Sequence, residues 1–176
     1  MRLQNIVPTA YAAFAVLAVG LTASQIHAQA TNPGTSQPTM VIYDDELKND
    51  WQNWSWGATV ELSVPAGGAK PIKVSGTPWS ALDLHHVAMS TKGYTKLTFF
   101  INGGVDGGQQ LAIKVKAPGG AAVDSNFVIA PKLKTWGRVE VPLKDIGAQD
   151  KTIEDIFFQG QATDYKPYYI TKIQLE

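Results

Sequence analysis

The chain predicts an all-β fold, a two-sheet antiparallel β-sandwich or jelly roll of about ten short strands. Three observations point there. Short runs rich in β-branched and aromatic residues are separated by Gly and Pro breaks such as Pro65-Ala-Gly-Gly68, Gly103–Gly108 and Pro118-Gly-Gly120. Several of these runs alternate apolar and polar side chains with period two. No stretch of the mature chain carries a helical period, which a doubly wound α/β fold would need.

In chain order, residues 1–30 hold one charge, Arg2, and no acid. An apolar run over 10–21 is followed by Ala28-Gln29-Ala30. This is the layout of a secretory signal peptide, and the apolar run is too short to span a bilayer. Cleavage after Ala30 leaves 146 residues (176 less 30), one domain with room for a core. The chain has no Cys, so an exported form would be held by packing rather than disulfides. Without Arg2, 14 basic side chains stand against 15 acidic ones. A near-neutral surface disfavours nucleic acid and anionic lipid as partners. No second apolar stretch suggests membrane insertion, and a secreted (extracellular or periplasmic) monomer is expected.

Residues 31–39, Thr-Asn-Pro-Gly-Thr-Ser-Gln-Pro-Thr, read as a flexible polar linker. A single β-sandwich domain follows over 40–176. Its strands are expected at Met40–Tyr43, Trp56–Ser63, Pro71–Val74, Ser80–His86, Lys96–Asn102, Gln110–Lys116, Val123–Ile129, Gly137–Val141, Ile153–Gln159 and Tyr168–Leu175. Leu97, Phe99 and Ile101 share one face of their run, and Leu111, Ile113 and Val115 one face of theirs; both sets should meet between the sheets. Phe100 then falls on a face otherwise made of polar side chains, exposed in a cleft or covered by a loop. In the last run Tyr169, Thr171, Ile173 and Leu175 share a face opposite Tyr168, Ile170, Lys172 and Gln174. Trp136 is expected to seal the core beside Val139 and Val141.

The segment Trp51-Gln-Asn-Trp-Ser-Trp56 holds three of the five Trp. On a strand Trp54 and Trp56 share one face, with Trp51 on the entering loop. Flat indoles beside amides and a hydroxyl suit the apolar face of a sugar ring and its hydroxyl edge. The competing expectation is that one or two of these Trp close the end of the sandwich core.

Catalytic motifs are missing. There is no Cys and no Gly-x-Ser-x-Gly elbow. His85 and His86 are adjacent on a strand and point opposite ways, so they do not converge on zinc. The acids near turns (Asp44, Asp45, Glu46, Asp106) and Asp83 form no distinctive pair of the kind glycoside hydrolysis uses. A copper oxygenase would need a mature N-terminal His, and His27 would require cleavage after Ile26. Gly103–Gln109 lacks the Lys-Ser/Thr ending of a phosphate loop and lies between strands. Asp44-Asp45-Glu46 is either a solvated acidic turn or a source of oxygen ligands for Ca²⁺.

Val41-Ile-Tyr-Asp-Asp45 followed by Trp51–Trp56, Gly93-Tyr94, Leu97–Ile101 before a Gly-rich turn, Thr135-Trp-Gly-Arg-Val-Glu-Val-Pro-Leu143, Ile156-Phe-Phe-Gln159 and Tyr168–Ile173 together resemble carbohydrate-binding modules of the galactose-binding-like jelly-roll type. The resemblance covers 40–176 and rests on the order of the motifs. It implies a glycan held on a concave face or by end loops, with no chemistry and no required cofactor. It also implies a structural calcium near the first strand, here through Asp45 and Glu46. The last-strand Asp that commonly contributes is replaced by Thr171.

Within that fold, Trp79, Ala81, Asp83 and His85 share the face opposite Leu82 and Leu84. The carbohydrate-binding candidates are therefore Trp51, Trp54, Trp56, Trp79, Asp83, His85, Phe100 and Gln159. The expected function is non-catalytic binding of a polysaccharide or oligosaccharide. Two alternatives are an envelope or matrix protein that binds another protein, and a small jelly-roll hydrolase or lyase using Asp83 and His85.

Overall fold

A computed structural model of the protein describes residues 39–176. The expected signal peptide and all of the linker but its last residue lie outside the described residues. Eleven strands follow in order: β1 (Met40–Asp44), β2 (Glu46–Leu47), β3 (Gln52–Asn53), β4 (Trp56–Glu61), β5 (Ile72–Ser90), β6 (Lys96–Asn102), β7 (Leu111–Lys116), β8 (Val128–Ile129), β9 (Trp136–Pro142), β10 (Thr152–Gly160) and β11 (Tyr165–Leu175).

Every pairing is antiparallel, and the ladders form the two layers of a jelly-roll sandwich. One sheet runs β9–β6–β11, then the first half of β5, then β4, with β1 and β2 beside the far end of β11. The other runs β8–β7–β10, then the second half of β5, then β3 at the edge. The β5 strand thus belongs to both. Its partner changes from β11 at Gly76 to β10 at Ala81.

The core lies between the layers. Leu97, Phe99 and Ile101 from β6 and Tyr168 and Ile170 from β11 meet Leu82 and Leu84 from β5, Ile113 and Val115 from β7, and Ile156 and Phe158 from β10. Phe99 and Phe158 bridge the two sheets edge to face, their centroids 5.1 Å apart. Period-two alternation does most of this sorting, because each inward residue leaves its neighbours facing out.

Four expectations need correction. The runs Pro71–Val74 and Ser80–His86 are one strand, because Trp79 adopts a left-handed φ of 65° that turns the chain without ending it. In β11 the faces swap midway. Tyr168 and Ile170 point inward, but so do Ile173 and Leu175, because Lys172 at φ 50° makes a bulge opposite β6. Trp136 does not seal the core. It shares the outward parity of Arg138 and Glu140, opposite Val141, and is 42% exposed. The run 123–129 supplies only the two-residue β8, and Leu143–Ile146 forms a 3₁₀ turn closed by Gly147 at φ 69°.

Candidate functional site

The outer face of the second sheet gathers an aromatic and charged cluster. The edge segment 52–56 is held against β5 by the Gln52–His85 and Trp56–Ala81 pairs and by Trp54 N–H donating to Asp83 C=O at 3.0 Å. Asn53 Oδ1 accepts from the Ser55 hydroxyl at 2.5 Å, and Asp83 N–H donates to Ser55 Oγ at 3.1 Å. These polar residues at odd positions pin the edge, so Trp54 and Trp56 are left on the outer face.

Trp54 lies flat on His85, ring centroids 3.4 Å apart and planes 9° off parallel. Its Nε1–H donates to Gln52 Oε1 at 3.0 Å, and 53% of the residue stays exposed. Trp56, 41% exposed, meets buried Phe157 of β10 edge to face at 5.1 Å. Each indole therefore rests on a second ring that fixes its orientation.

Charged groups brace this layer from below. His85 Nδ1 lies 2.6 Å from Asp155 Oδ1, and Lys116 Nζ lies 2.6 Å from Asp155 Oδ2 and 2.8 Å from Glu154 Oε1. The carboxylate contacts hold the Lys116 ammonium in its charged form, well above the usual lysine range. Beside them Asp83 is only 6% exposed, and its Oδ1 has no hydrogen-bond partner. Burial, followed by the nearby charge of Asp155, pushes its carboxyl up to about 7.

The structure brings Trp54, Trp56, Asp83, His85 and Gln159 onto this one face. Trp79 sits at its margin, exposed at the β5 bend, where its carbonyl accepts from Gln159 Nε2 at 3.0 Å. Two candidates are elsewhere. Trp51 is buried in the core against His86, since its parity is opposite to that of Trp54 and Trp56. Phe100 is half-exposed on the outer face of the other sheet, between Arg138 and Thr171.

Asp155, Phe157 and Lys116 were not among the sequence candidates. Asp155 and Phe157 share the parity of Gln159 in β10, so the alternation that selected Gln159 also marked them. What the sequence does not show is the register that sets Phe157 opposite Asp83 and Asp155 opposite His85.

The acidic side chains expected to hold calcium are engaged by other partners. Glu46 pairs with Lys48, Asp44 with Lys172, and Asp45 Oδ1 takes the Lys70 N–H at 2.8 Å. Among the described residues no group of three His, Cys, Asp or Glu side chains could hold a metal.

Comparison with known proteins agrees with the architecture. No protein-family model matches the chain. An endoglucanase of Dictyostelium discoideum is 30% identical over 145 residues, covering 74% of this chain and 21% of that protein. The chain thus spans about a fifth of that relative's length. Among solved structures, a variant of a family 29 carbohydrate-binding module superposes with a TM-score of 0.61 at 17% identity, over 79% of this chain and 91% of that one. Another variant, complexed with cellulohexaose, gives 0.61 at 18% over 78% and 89%. A third, complexed with mannohexaose, gives 0.61 at 16% over 78% and 90%. The chain has the β-jelly-roll fold of the family 29 carbohydrate-binding modules.

Proposed function

We propose that the protein is an exported, non-catalytic module that binds a polysaccharide chain across the Trp54–Trp56 face. The observation that carries this is the pre-built platform. Two exposed indoles are each fixed by a ring beneath or beside them, with the amides of Gln52 and Gln159 at the margin and charged groups bracing them from below. An aromatic already held in place loses little side-chain freedom when a sugar ring stacks on it. Open geometry suits a chain lying along the face rather than a small ligand enclosed by it. The fold neighbours complexed with cellulohexaose and mannohexaose nominate gluco- and manno-oligosaccharides as first ligands to test.

The endoglucanase likeness raises hydrolysis as the competing activity. The nearest carboxylates argue against it. Asp83 and Asp155 are 6% and 1% exposed, beneath the aromatic layer and unable to flank a glycosidic bond. Asp155 is committed to His85 and Lys116. Export through residues 1–30 and action as a monomer complete the proposal.

Calorimetric titration with cellulohexaose and mannohexaose tests it, together with product analysis after long incubation. Binding without new reducing ends is expected, and Trp54→Ala should weaken it about tenfold, roughly 1.4 kcal/mol, with melting unchanged. Hydrolysis products, or full affinity in the Trp54→Ala/Trp56→Ala double variant, would reject the proposal.

A further inference from the structure

The opposite face of the sandwich carries a second aromatic row, one that differs in charge from the first. Trp136 of β9 pairs with Asn102 of β6, which pairs with Tyr169 of β11. These side chains share the outer face of the first sheet. Phe100 lies one step along the same face of β6. Trp136 and Tyr169 are two strands apart, about 10 Å between backbones. That separation lets two rings contact different units of one saccharide chain.

Trp136 stands between two cavities. One, of about 230 Å³, is lined by Ala66, Asn102, Gly104, Lys134, Trp136 and Tyr169. The other, of about 410 Å³, lies on its far side, where Lys132, Thr135 and Arg138 join Ile101, Pro131 and Val139. Together the linings hold three cationic side chains and no carboxylate. Arg138 is matched from outside them by Glu140 and Glu176. Lys132 and Lys134 have no ion-pair partner among the described residues. The Trp54 face is unlike this, since Lys116 there is neutralised by Asp155 and Glu154.

Geometry fixes the row in place. Gly104, at φ 65°, approaches Pro167 so closely that an added Cβ would overlap the Pro167 carbonyl. Its N–H donates to Asn102 Oδ1 at 2.9 Å, and its C=O accepts from Lys134 N–H at 2.6 Å. The loop carrying Lys132 and Lys134 is thus tied to the strand carrying Asn102. Gly103 N–H to Lys132 C=O, at 2.9 Å, is a second tie.

We propose that this face is a second binding site, specific for an anionic saccharide bearing uronate carboxylates or sulfates. Trp136 and Tyr169 receive sugar rings, Asn102 meets hydroxyls, and Lys132 and Lys134 meet the acidic groups. Charge complementarity selects this ligand class. Unpaired ammonium groups attract and retain an anion, whereas a neutral chain gains only hydrogen bonds from them. The two faces lie on opposite sides of the sandwich, so one molecule could bridge a neutral chain and an acidic one.

The test uses the full mature protein and its Trp54→Ala/Trp56→Ala variant, titrated with hexagalacturonate, a sulfated hexasaccharide and neutral cellulohexaose. In the double variant, binding of an acidic probe should persist. It should fall about tenfold with Trp136→Ala. It should fall severalfold with Lys132→Gln/Lys134→Gln, and again between low salt and 1 M salt, where screening acts within about 3 Å. The two acidic probes tell carboxylate from sulfate recognition. Trp136 and both lysines are surface residues, so unchanged melting should confirm an intact fold. Failure of both acidic probes overturns the proposal, as does acidic binding that survives Trp136→Ala. Neutral binding at this face, insensitive to salt and to the lysines, overturns the ligand class. Loss of cellulohexaose binding in the Trp54→Ala/Trp56→Ala variant bears only on the first face, so the two proposals can fail separately.

Discussion

At the scale of the residue, the Trp54 platform depends on a side chain that need not touch sugar. His85 lies flat under Trp54 and is steered by Asp155, which Lys116 and Glu154 complete as a charged string. His85→Ala should therefore leave Trp54 present but free to rotate. Affinity for a bound hexasaccharide should fall, by less than the roughly tenfold loss for Trp54→Ala. Equal losses in parallel titrations would put His85 in direct contact with the ligand instead. Asp83 makes a different prediction. Its folded carboxyl titrates near 7 against 3.8 for the ordinary group, with burial as the main cause. A raised carboxyl stabilises the fold fully below 3.8, and that contribution is lost as pH climbs through about 7. Asp83→Asn cannot titrate, so its stability relative to the parent should rise between pH 4 and pH 8 by on the order of 2 kcal/mol, after allowance for solvent screening. Melting curves at both pH values check this. A difference independent of pH would show that Asp83 is ionised freely in the folded protein.

At the scale of the element, the strands that follow period two were legible and the irregular ones were not. Lys96–Asn102 is read correctly to the residue because nothing interrupts its alternation. Tyr168–Leu175 is located correctly but its second half is assigned to the wrong face, since one left-handed residue at Lys172 reverses parity. Nothing about Lys demands that conformation, and the register shifts there against β6. Trp136 is a case where parity was available and pointed outward with Arg138, against the expectation that it seals the core beside Val139 and Val141. The β5 bend is the element on which both sheets depend. There Ser80 Oγ and Tyr165 OH lie 2.9 Å apart, and Tyr165 packs over Gly160 and Gly76, where an added Cβ would overlap its ring or hydroxyl. Gly160→Ala should accordingly cost about 1–3 kcal/mol by overpacking. Chemical denaturation measures it, and a variant as stable as the parent would mean that Tyr165 moves aside freely.

At the scale of the whole molecule, the sandwich displays two outer sheet faces of different chemistry, and the parities of five Trp decide what each face offers. The Trp cluster raises the expectation of a sugar platform in the sequence, but only the fold separates its members. Trp51 is core, Trp54 and Trp56 are surface, and Trp79 marks the bend between sheets. The charged string behind the platform was not legible, because Asp155 and Lys116 meet His85 only through the β5–β10–β7 register. The five indole N–H groups make the central claim directly measurable. Each gives its own signal in a nitrogen–proton NMR spectrum, assignable by single Trp substitutions. On titration with cellulohexaose or mannohexaose, the Trp54 and Trp56 signals should move while that of buried Trp51 stays fixed. If Trp54 and Trp56 stay fixed while another indole responds, or if no indole responds to either sugar, the platform does not bind them and the account is wrong.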